Sequence, residues 1–326
     1  MNRFGFEEFG GPEVFEVIEA EQPAPKPGQV LIQVLGFGMN PYDRTLRTGA
    51  AAKSRPLPFP IVPGTDVMGR IVALGDEVHD FELGDIVMNY RPIGGYSEYV
   101  VASTSKIVKK PTALSYLDAT ALPQVGVAAY NILHYLLQAV PGKTIAIEGA
   151  SGGVGAVLIQ LAKFLKLNVI ATASSKNETY LRQMGADEIG LYDQEDVGAK
   201  FADRADYVVN AINGGHDNGA GVQMIKADGH YVTVAYADVD LSSKPNVTHS
   251  QLGPDKSYST KDALNFLVDV AIKWGLTVRV AASEPFTLAG VQAGQALLDT
   301  HHEAGKIVVM QDHKVIKPVR KDINHL

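Results

Sequence analysis

Gly149-Ala150-Ser151-Gly152-Gly153-Val154-Gly155 follows the short apolar run Thr144-Ile145-Ala146-Ile147 and precedes a helical run from Ala156 to Leu165. Strand, glycine turn and helix in that order let a ligand approach the backbone closely at a helix N-terminus. A dinucleotide pyrophosphate needs that arrangement. In the G-x-G-x-x-G register Ala150 stands in the first glycine place, and Gly152 and Gly155 hold the other two. Cofactor contacts are therefore expected at Ala150, Ser151, Gly152, Gly153, Val154 and Gly155. The same residues also read G-x-S-x-G, a nucleophile elbow with Ser151 as a serine hydrolase's nucleophile. An elbow does not require Gly155, so the dinucleotide reading leads and the hydrolase is its alternative.

The next strand, Asn168 to Ala173, ends at Ser174-Ser175-Lys176. An NAD site commonly places Asp or Glu there to accept the ribose 2′-hydroxyl. Two hydroxyls and a cation instead suit a 2′-phosphate, so NADPH is the expected cofactor. Tyr192, after the following strand, is a candidate to flank the same adenosine. Further along, Glu178 to Met184 reads as helix, and Ala205 to Val209 and Gly229 to Val234 as strands. This alternation predicts a doubly wound parallel sheet. Asp238 to Thr260 is polar and has no clear pattern. Lys261 to Gly275 reads as helix, and Leu276 to Glu284, Leu288 to His301 and Lys306 to Met310 as strand, helix, strand.

The first 110 residues have a different texture. Short β-like runs at Gln29–Val34, Val67–Leu74, Asp85–Met88 and Tyr96–Val101 alternate with turns such as Pro63-Gly64 and Gly94-Gly95. A compact, barrel-like β domain is expected. Ser115 resembles a helix cap, and the apolar stretch to Leu137 reads as mostly helical.

Composition narrows the function. In 326 residues, 29 Lys and Arg against 36 Asp and Glu give 29 − 36 = −7, and no long basic run exists, which argues against a nucleic-acid partner. A hydrophobic fraction of 46% with 20% charged residues is that of a folded globular chain. Cysteine is absent, which removes disulfides, thiolate nucleophiles and Cys-based zinc sites. The most apolar long window, Leu117 to Leu137, is broken by Asp118, Pro123, Gln124, Asn131 and His134, so no membrane span is expected. The start, Met1 to Glu8, has no apolar signal core. A cytoplasmic location is the expectation.

The glycine turn, Asn40-Pro41-Tyr42-Asp43, Pro63-Gly64-Thr65-Asp66-Val67-Met68-Gly69 and Gly305-Lys306-Ile307-Val308-Val309 occur in matching order. Together they resemble the zinc-independent quinone oxidoreductase branch, which includes the zeta-crystallins, of the medium-chain dehydrogenase/reductase superfamily. The resemblance covers nearly the whole chain. It implies an α/β fold: a Rossmann doubly wound parallel sheet plus a β-rich, barrel-like (GroES-like) catalytic domain. The split domain would take residues 1–123 and 261–326, and the Rossmann domain residues 124–260. The resemblance also implies NADPH-dependent reduction of a quinone or other conjugated carbonyl, and a homodimer in which neighbouring Rossmann sheets associate. Asp238 to Tyr258 is the candidate segment for that contact. The zinc-dependent relatives carry Cys where this chain has Asn40 and a His-Glu pair where it has Thr65-Asp66. His301 and His302 are adjacent on an expected helix and so face different ways. No metal site is expected. Without zinc there is no Lewis acid to make an alkoxide. Hydride transfer to an electron-poor double bond needs mainly orientation and a few donors near the accepting oxygen.

Asn40 and Tyr42 are the candidate catalytic residues; Asn40 also reads as a turn-forming residue before proline. Asp43 reads as a structural partner for Arg44, Arg47 or a backbone N–H. Relatives often place tyrosines where this chain has Thr45 and Ala51, and threonine where it has Ala128. The substrate pocket is therefore altered. A non-catalytic cofactor-binding protein is the remaining alternative.

Overall fold

The computed structural model describes residues 1–53, 56–92, 94–300 and 303–312. It forms two compact units. One comprises Met1–Lys110, Ser115–Pro123 and the chain from Val280 onward; the other comprises Pro111–Leu114 and Gln124–Arg279.

The first unit opens with the antiparallel pair β1 (Asn2–Gly5) and β2 (Glu16–Glu19). There follow β3 (Gln29–Met39), the short helix α1 (Pro41–Arg47), β4 (Asp66–Leu74), β5 (Ile86–Tyr90), β6 (Tyr99–Ser103) and β7 (Ile107–Lys109). β3 is the organising strand. β4 runs antiparallel along one edge of it, and β6 pairs with its first half, Gln29 to Gln33. Alternation stops after Val34 because Val34 to Met39 are buried on both faces. Phe6, Phe15, Ile32, Phe37, Val67 and Tyr96 lie in the core, where the Phe37 and Tyr96 rings stack 4.3 Å apart.

Helix α2 (Tyr116–Asn131) is capped as the sequence suggested: the Ser115 hydroxyl accepts from the Asp118 N–H at 3.0 Å. A single π-wound turn, Ile132–Leu136, extends it. The second unit then runs β8 (Thr144–Glu148), α3 (Gly153–Phe164), β9 (Asn168–Ala173), α4 (Glu178–Met184), β10 (Glu188–Leu191) and α5 (Val197–Lys200). It continues through β11 (Ala205–Asn210), α6 (Ala220–Met224), β12 (Ile225–Thr233), β13 (Thr248–Gln251) and α7 (Thr260–Lys273). Among the described residues its strands form one all-parallel sheet, in the order β10-β9-β8-β11-β12-β13. The order reverses direction between β8 and β11. Open α/β sheets bind ligands in the crevice at such a switch point. α3 is buried from Gly155 to Ala162, because it lies against the middle of this sheet.

The chain returns to the first unit through β14 (Val280–Pro285), α8 (Leu288–Asp299) and β15 (Lys306–Met310). β15 pairs antiparallel with Gly36 to Met39 of β3, beyond the half that β6 occupies, and parallel with β14. The fold is thus α/β, a Rossmann sheet with a β-rich unit.

Several expectations need correction. The return begins at Val280, not at residue 261. α7 buries Leu264, Leu267 and Val270, and the Gln160 side chain of α3 brackets Thr277. Gln160 donates to the Thr277 carbonyl at 2.9 Å and accepts the Thr277 N–H at 3.0 Å. Those bonds hold residues 276–279 to α3, so the expected strand there starts only at Val280. The unassigned stretch after Asp238 contains β13, a short edge strand too polar to show β-periodicity. His301 and His302 lie outside the described residues.

The turn also constrains packing. A Cβ at Gly155 would stand 2.5 Å from the Gly149 carbonyl oxygen and 2.7 Å from the Ala150 Cα. A Cβ at Gly152 would meet only the Gly149 oxygen, at 3.2 Å. Gly155→Ala is therefore expected to lower stability in urea by about 2 kcal/mol, with a much smaller loss for Gly152→Ala. Equal stability of the two variants would refute this packing account.

Candidate active site

In the second unit the site is built on the β8–α3 turn. Gly149 has a φ of +64°, and a Cβ there would come within 2.8 Å of the Ala211 carbonyl oxygen, so the turn needs glycine twice over. Ala150, Ser151 and Gly155 are buried, whereas Gly152, Gly153 and Val154 are half-buried. Gly152 is the N-cap of α3, where the first N–H groups have no intrahelical acceptor. The open side of Gly152 and these N–H groups together make a cradle suited to a pyrophosphate. Among the described residues no histidine hydrogen-bonds Ser151, where an elbow nucleophile would need a base.

Sequence inspection missed what supports this turn from below. Glu148, the last residue of β8, is buried; the Tyr231 hydroxyl lies 3.4 Å from its carboxyl and donates to Asp217 at 2.9 Å. Burial, and then the neighbouring Asp217 carboxylate, push the Glu148 carboxyl well above the usual range. Asp217 also accepts the N–H groups of Gly219 and Gly221, each at 3.0 Å, and so shapes the segment after β11. A cavity of about 440 Å³ opens beside it, lined by Gly215, His216, Asp217, Val239 and Asp240. The sequence signal was a carboxylate at the end of a buried strand, where no charge belongs without a partner.

At the neighbouring strand ends, Ser174, Ser175, Lys176 and Tyr192 do come together. β10 pairs with β9 in the register Leu191↔Ala173, and the Tyr192 N–H donates to the Ala173 carbonyl at 3.2 Å. Tyr192 is 59% exposed and Lys176 is exposed. The segment itself carries no Asp or Glu, but a carboxylate reaches it from the next strand: Asp193 accepts the Ser175 N–H at 2.8 Å and the Ser175 hydroxyl at 2.7 Å. Only the parallel register reveals this contact, since Asp193 arrives from the next strand.

In the first unit, Asn40 is 2% exposed and caps α1. Its amide donates to Thr65 at 3.1 Å and Asp66 at 3.0 Å, and its carbonyl oxygen accepts from the Lys306 ammonium. Lys306 also donates to Asp66 at 2.9 Å and the Met39 carbonyl at 3.0 Å. Both amide protons of Asn40 are thus used internally. Tyr42, 38% exposed, is the more accessible of the two candidates. Asp43 pairs with neither arginine. It accepts from the Asn40 N–H and the Tyr96 hydroxyl, both at 2.9 Å, while Arg47 forks onto Asp299 at 2.7 and 2.8 Å. Gln295 bridges the two groups, donating to Tyr96 at 3.2 Å and accepting from Arg47 at 3.1 Å.

A parallel sheet in Rossmann order with a glycine turn at its switch point, beside a β-rich unit, has the architecture of a dinucleotide-binding protein. Residues 26–112 match the family described as Alcohol dehydrogenase GroES-like domain, and residues 153–253 the family described as Zinc-binding dehydrogenase. The quinone oxidoreductase of Mus musculus is 28% identical over 318 residues, spanning 93% of this chain and 96% of that protein. A chloroplastic quinone-oxidoreductase homolog of Spinacia oleracea is 32% identical over 217 residues, spanning 63% and 66%. The solved quinone oxidoreductase of Coxiella burnetii superposes with a TM-score of 0.81 at 28% identity, covering 95% of this chain and 99% of that one. The chain belongs to the quinone oxidoreductase-like members of the medium-chain dehydrogenase/reductase superfamily. It is an NAD(P)-dependent oxidoreductase acting on a small molecule.

Burial raises the Asp43 pKa from 3.8 to about 6, against the lowering effect of the bonds from Asn40 and Tyr96. The folded protein therefore keeps this proton longer than the unfolded chain does. The stabilisation is complete below about pH 4 and is lost as pH rises through about 6, a change on the order of 3 kcal/mol. Wild type minus Asp43→Asn, compared by chemical denaturation from about pH 4 to 7, should fall by that amount. A pH-independent difference would refute the assignment.

Proposed function

We propose that this protein is an NADPH-dependent, zinc-independent reductase of quinones or other conjugated carbonyls (enones and enals), working as a homodimer. The observation that carries the reading is the cradle at Gly152. It stands at the sheet's switch point, one strand away from two serine hydroxyls and a lysine. Ala150, Ser151, Gly152, Gly153, Val154 and Gly155 would hold the pyrophosphate, and Ser174, Ser175, Lys176 and Tyr192 the adenosine end. Bound there, the nicotinamide supplies a hydride. The second unit's own residues bind and orient it, and Tyr42 of the first unit is the candidate for a role toward the substrate. Asn40, with its amide fully engaged, acts by holding the start of α1 and thereby Tyr42.

The zinc-free reading rests on donor chemistry. The residues at the relatives' ligand positions are a carboxamide, a hydroxyl and one carboxylate, and an ammonium already lies among them. A divalent cation would meet that like charge, so the residues present do not fit zinc. Reduction of an electron-poor double bond does not call for a Lewis acid. The homodimer reading is supported by β13, which leaves one edge of the parallel sheet open.

NADPH oxidation should be observed with a panel of quinones, 2-alkenals and enones, and Gly152→Val should keep its circular dichroism spectrum yet bind NADPH at least about tenfold more weakly. Normal NADPH affinity in that variant would overturn the cofactor site. Cofactor binding without turnover on any panel member would favour a non-catalytic binding protein. Calorimetry should show NADPH binding tighter than NADH. Native mass spectrometry reads the other two expectations together: twice 34.9 kDa with no zinc retained. A monomer, or a stoichiometric zinc ion, would sink the corresponding part.

A further inference from the structure

Asp193 follows β10 and turns its carboxylate onto the segment that follows β9. Oδ1 accepts the Ser175 N–H at 2.8 Å, and Oδ2 accepts the Ser175 hydroxyl at 2.7 Å. Two donors of one residue thus grip both oxygens of one carboxylate. The Ser175 hydroxyl, first of all, holds the Asp193 carboxyl below its ordinary range, so it is ionised throughout neutral pH. The group is exposed, and water can replace its bonds at small cost.

A 2′-phosphate seeks the same partners that this carboxylate has taken, a backbone N–H and a hydroxyl. It also carries negative charge that an adjacent carboxylate repels. A ribose 2′-hydroxyl makes the opposite demand, since it donates readily to a carboxylate. We infer that Asp193 is a specificity-determining residue of the cofactor site, competing with the 2′-phosphate for Ser175 and offering an acceptor to the ribose of a cofactor that lacks it. The inference rests on the dinucleotide reading proposed above and deepens it.

Lys176 and Asp193 then pull in opposite directions on one short segment, the ammonium toward the phosphate and the carboxylate toward the hydroxyl. Arg279 anchors the end of that segment: its guanidinium donates to Asn177 at 2.8 Å and lies 4.8 Å from the Tyr180 ring centre. Ser174 is likewise engaged, accepting from the Asn177 amide at 3.2 Å. Ser175 is therefore the place where the two cofactors meet different chemistry. Because the carboxylate is exposed and able to swing out, Asp193 narrows the preference for NADPH without abolishing NADPH binding.

The test is calorimetric titration of the full-length protein with NADPH and with NADH, for wild type, Asp193→Asn and Asp193→Ala. The NADPH-to-NADH affinity ratio should rise at least about tenfold in either variant. The fragments 2′,5′-ADP and 5′-AMP should shift in the same sense, because they report this end of the site alone. Asp193→Ala serves should the asparagine variant fail to fold. A ratio unchanged within about twofold in the folded variant would overturn the role of Asp193 while leaving the cofactor site standing. A wild-type protein that binds neither NADPH nor 2′,5′-ADP would overturn both.

Discussion

The buried Lys306 ammonium ties the late strand of the first unit to three of its early segments. An amine without partners in a protein interior costs several kcal/mol, so wherever Lys306 goes, acceptors must follow. It finds the Asp66 carboxylate at the start of β4, the Asn40 carboxamide at the start of α1 and the Met39 carbonyl at the end of β3. Three segments from the first 66 residues are thereby tied to a strand from the last stretch of the chain. Removing either partner of such a buried pair costs about 3–5 kcal/mol. The splitting of this unit across the sequence is therefore enforced by charge as well as by strand pairing. The same ammonium fills the space among the residues that would otherwise be candidates for a metal.

A second polar thread crosses the same unit. Asp43, Tyr96, Gln295, Arg47 and Asp299 form a continuous chain of hydrogen bonds linking α1, the segment before β6 and α8. Each member satisfies the next, which is why charged groups as deeply buried as Asp43 and Arg47 are tolerated. The two networks share Asn40, whose N–H donates to Asp43 and whose side chain serves Lys306 and Asp66. Tyr42, in the first turn of α1, stays 38% exposed beside them.

The second unit solves the reverse problem. Its polar groups at the carboxyl ends of β8, β11 and β12 are drawn inward to one another through Glu148, Tyr231 and Asp217. Gly152, Gly153 and Val154 of the glycine turn stay half-buried. Strand and helix come within contact distance at Gly155, whereas a Cβ at Gly152 would meet only the Gly149 oxygen, at 3.2 Å.

The class of fold was legible because it depends on local pattern. Strand, glycine turn and helix in sequence mark a tight turn at a helix N-terminus, and Asn168–Ala173, Glu178–Met184 and Lys306–Met310 carry their periodicity in their own residues. Candidate site residues could be singled out most readily where they are sequence neighbours, as Gly149–Gly155 and Ser174–Lys176 are. β13 escaped notice because a short polar edge strand has no period of its own, and the unit boundary was misplaced because Gln160 binds Thr277 from a distant helix. Asn40, Asp66 and Lys306 could each be singled out in the sequence. That the ammonium lies among the other two, and donates to the side-chain oxygen of Asn40, depends on β15 pairing with β3. Asp193 reaches Ser175 for the same kind of reason. The one-dimensional chain determines which residues can donate, accept or turn, and strand register decides which of them meet.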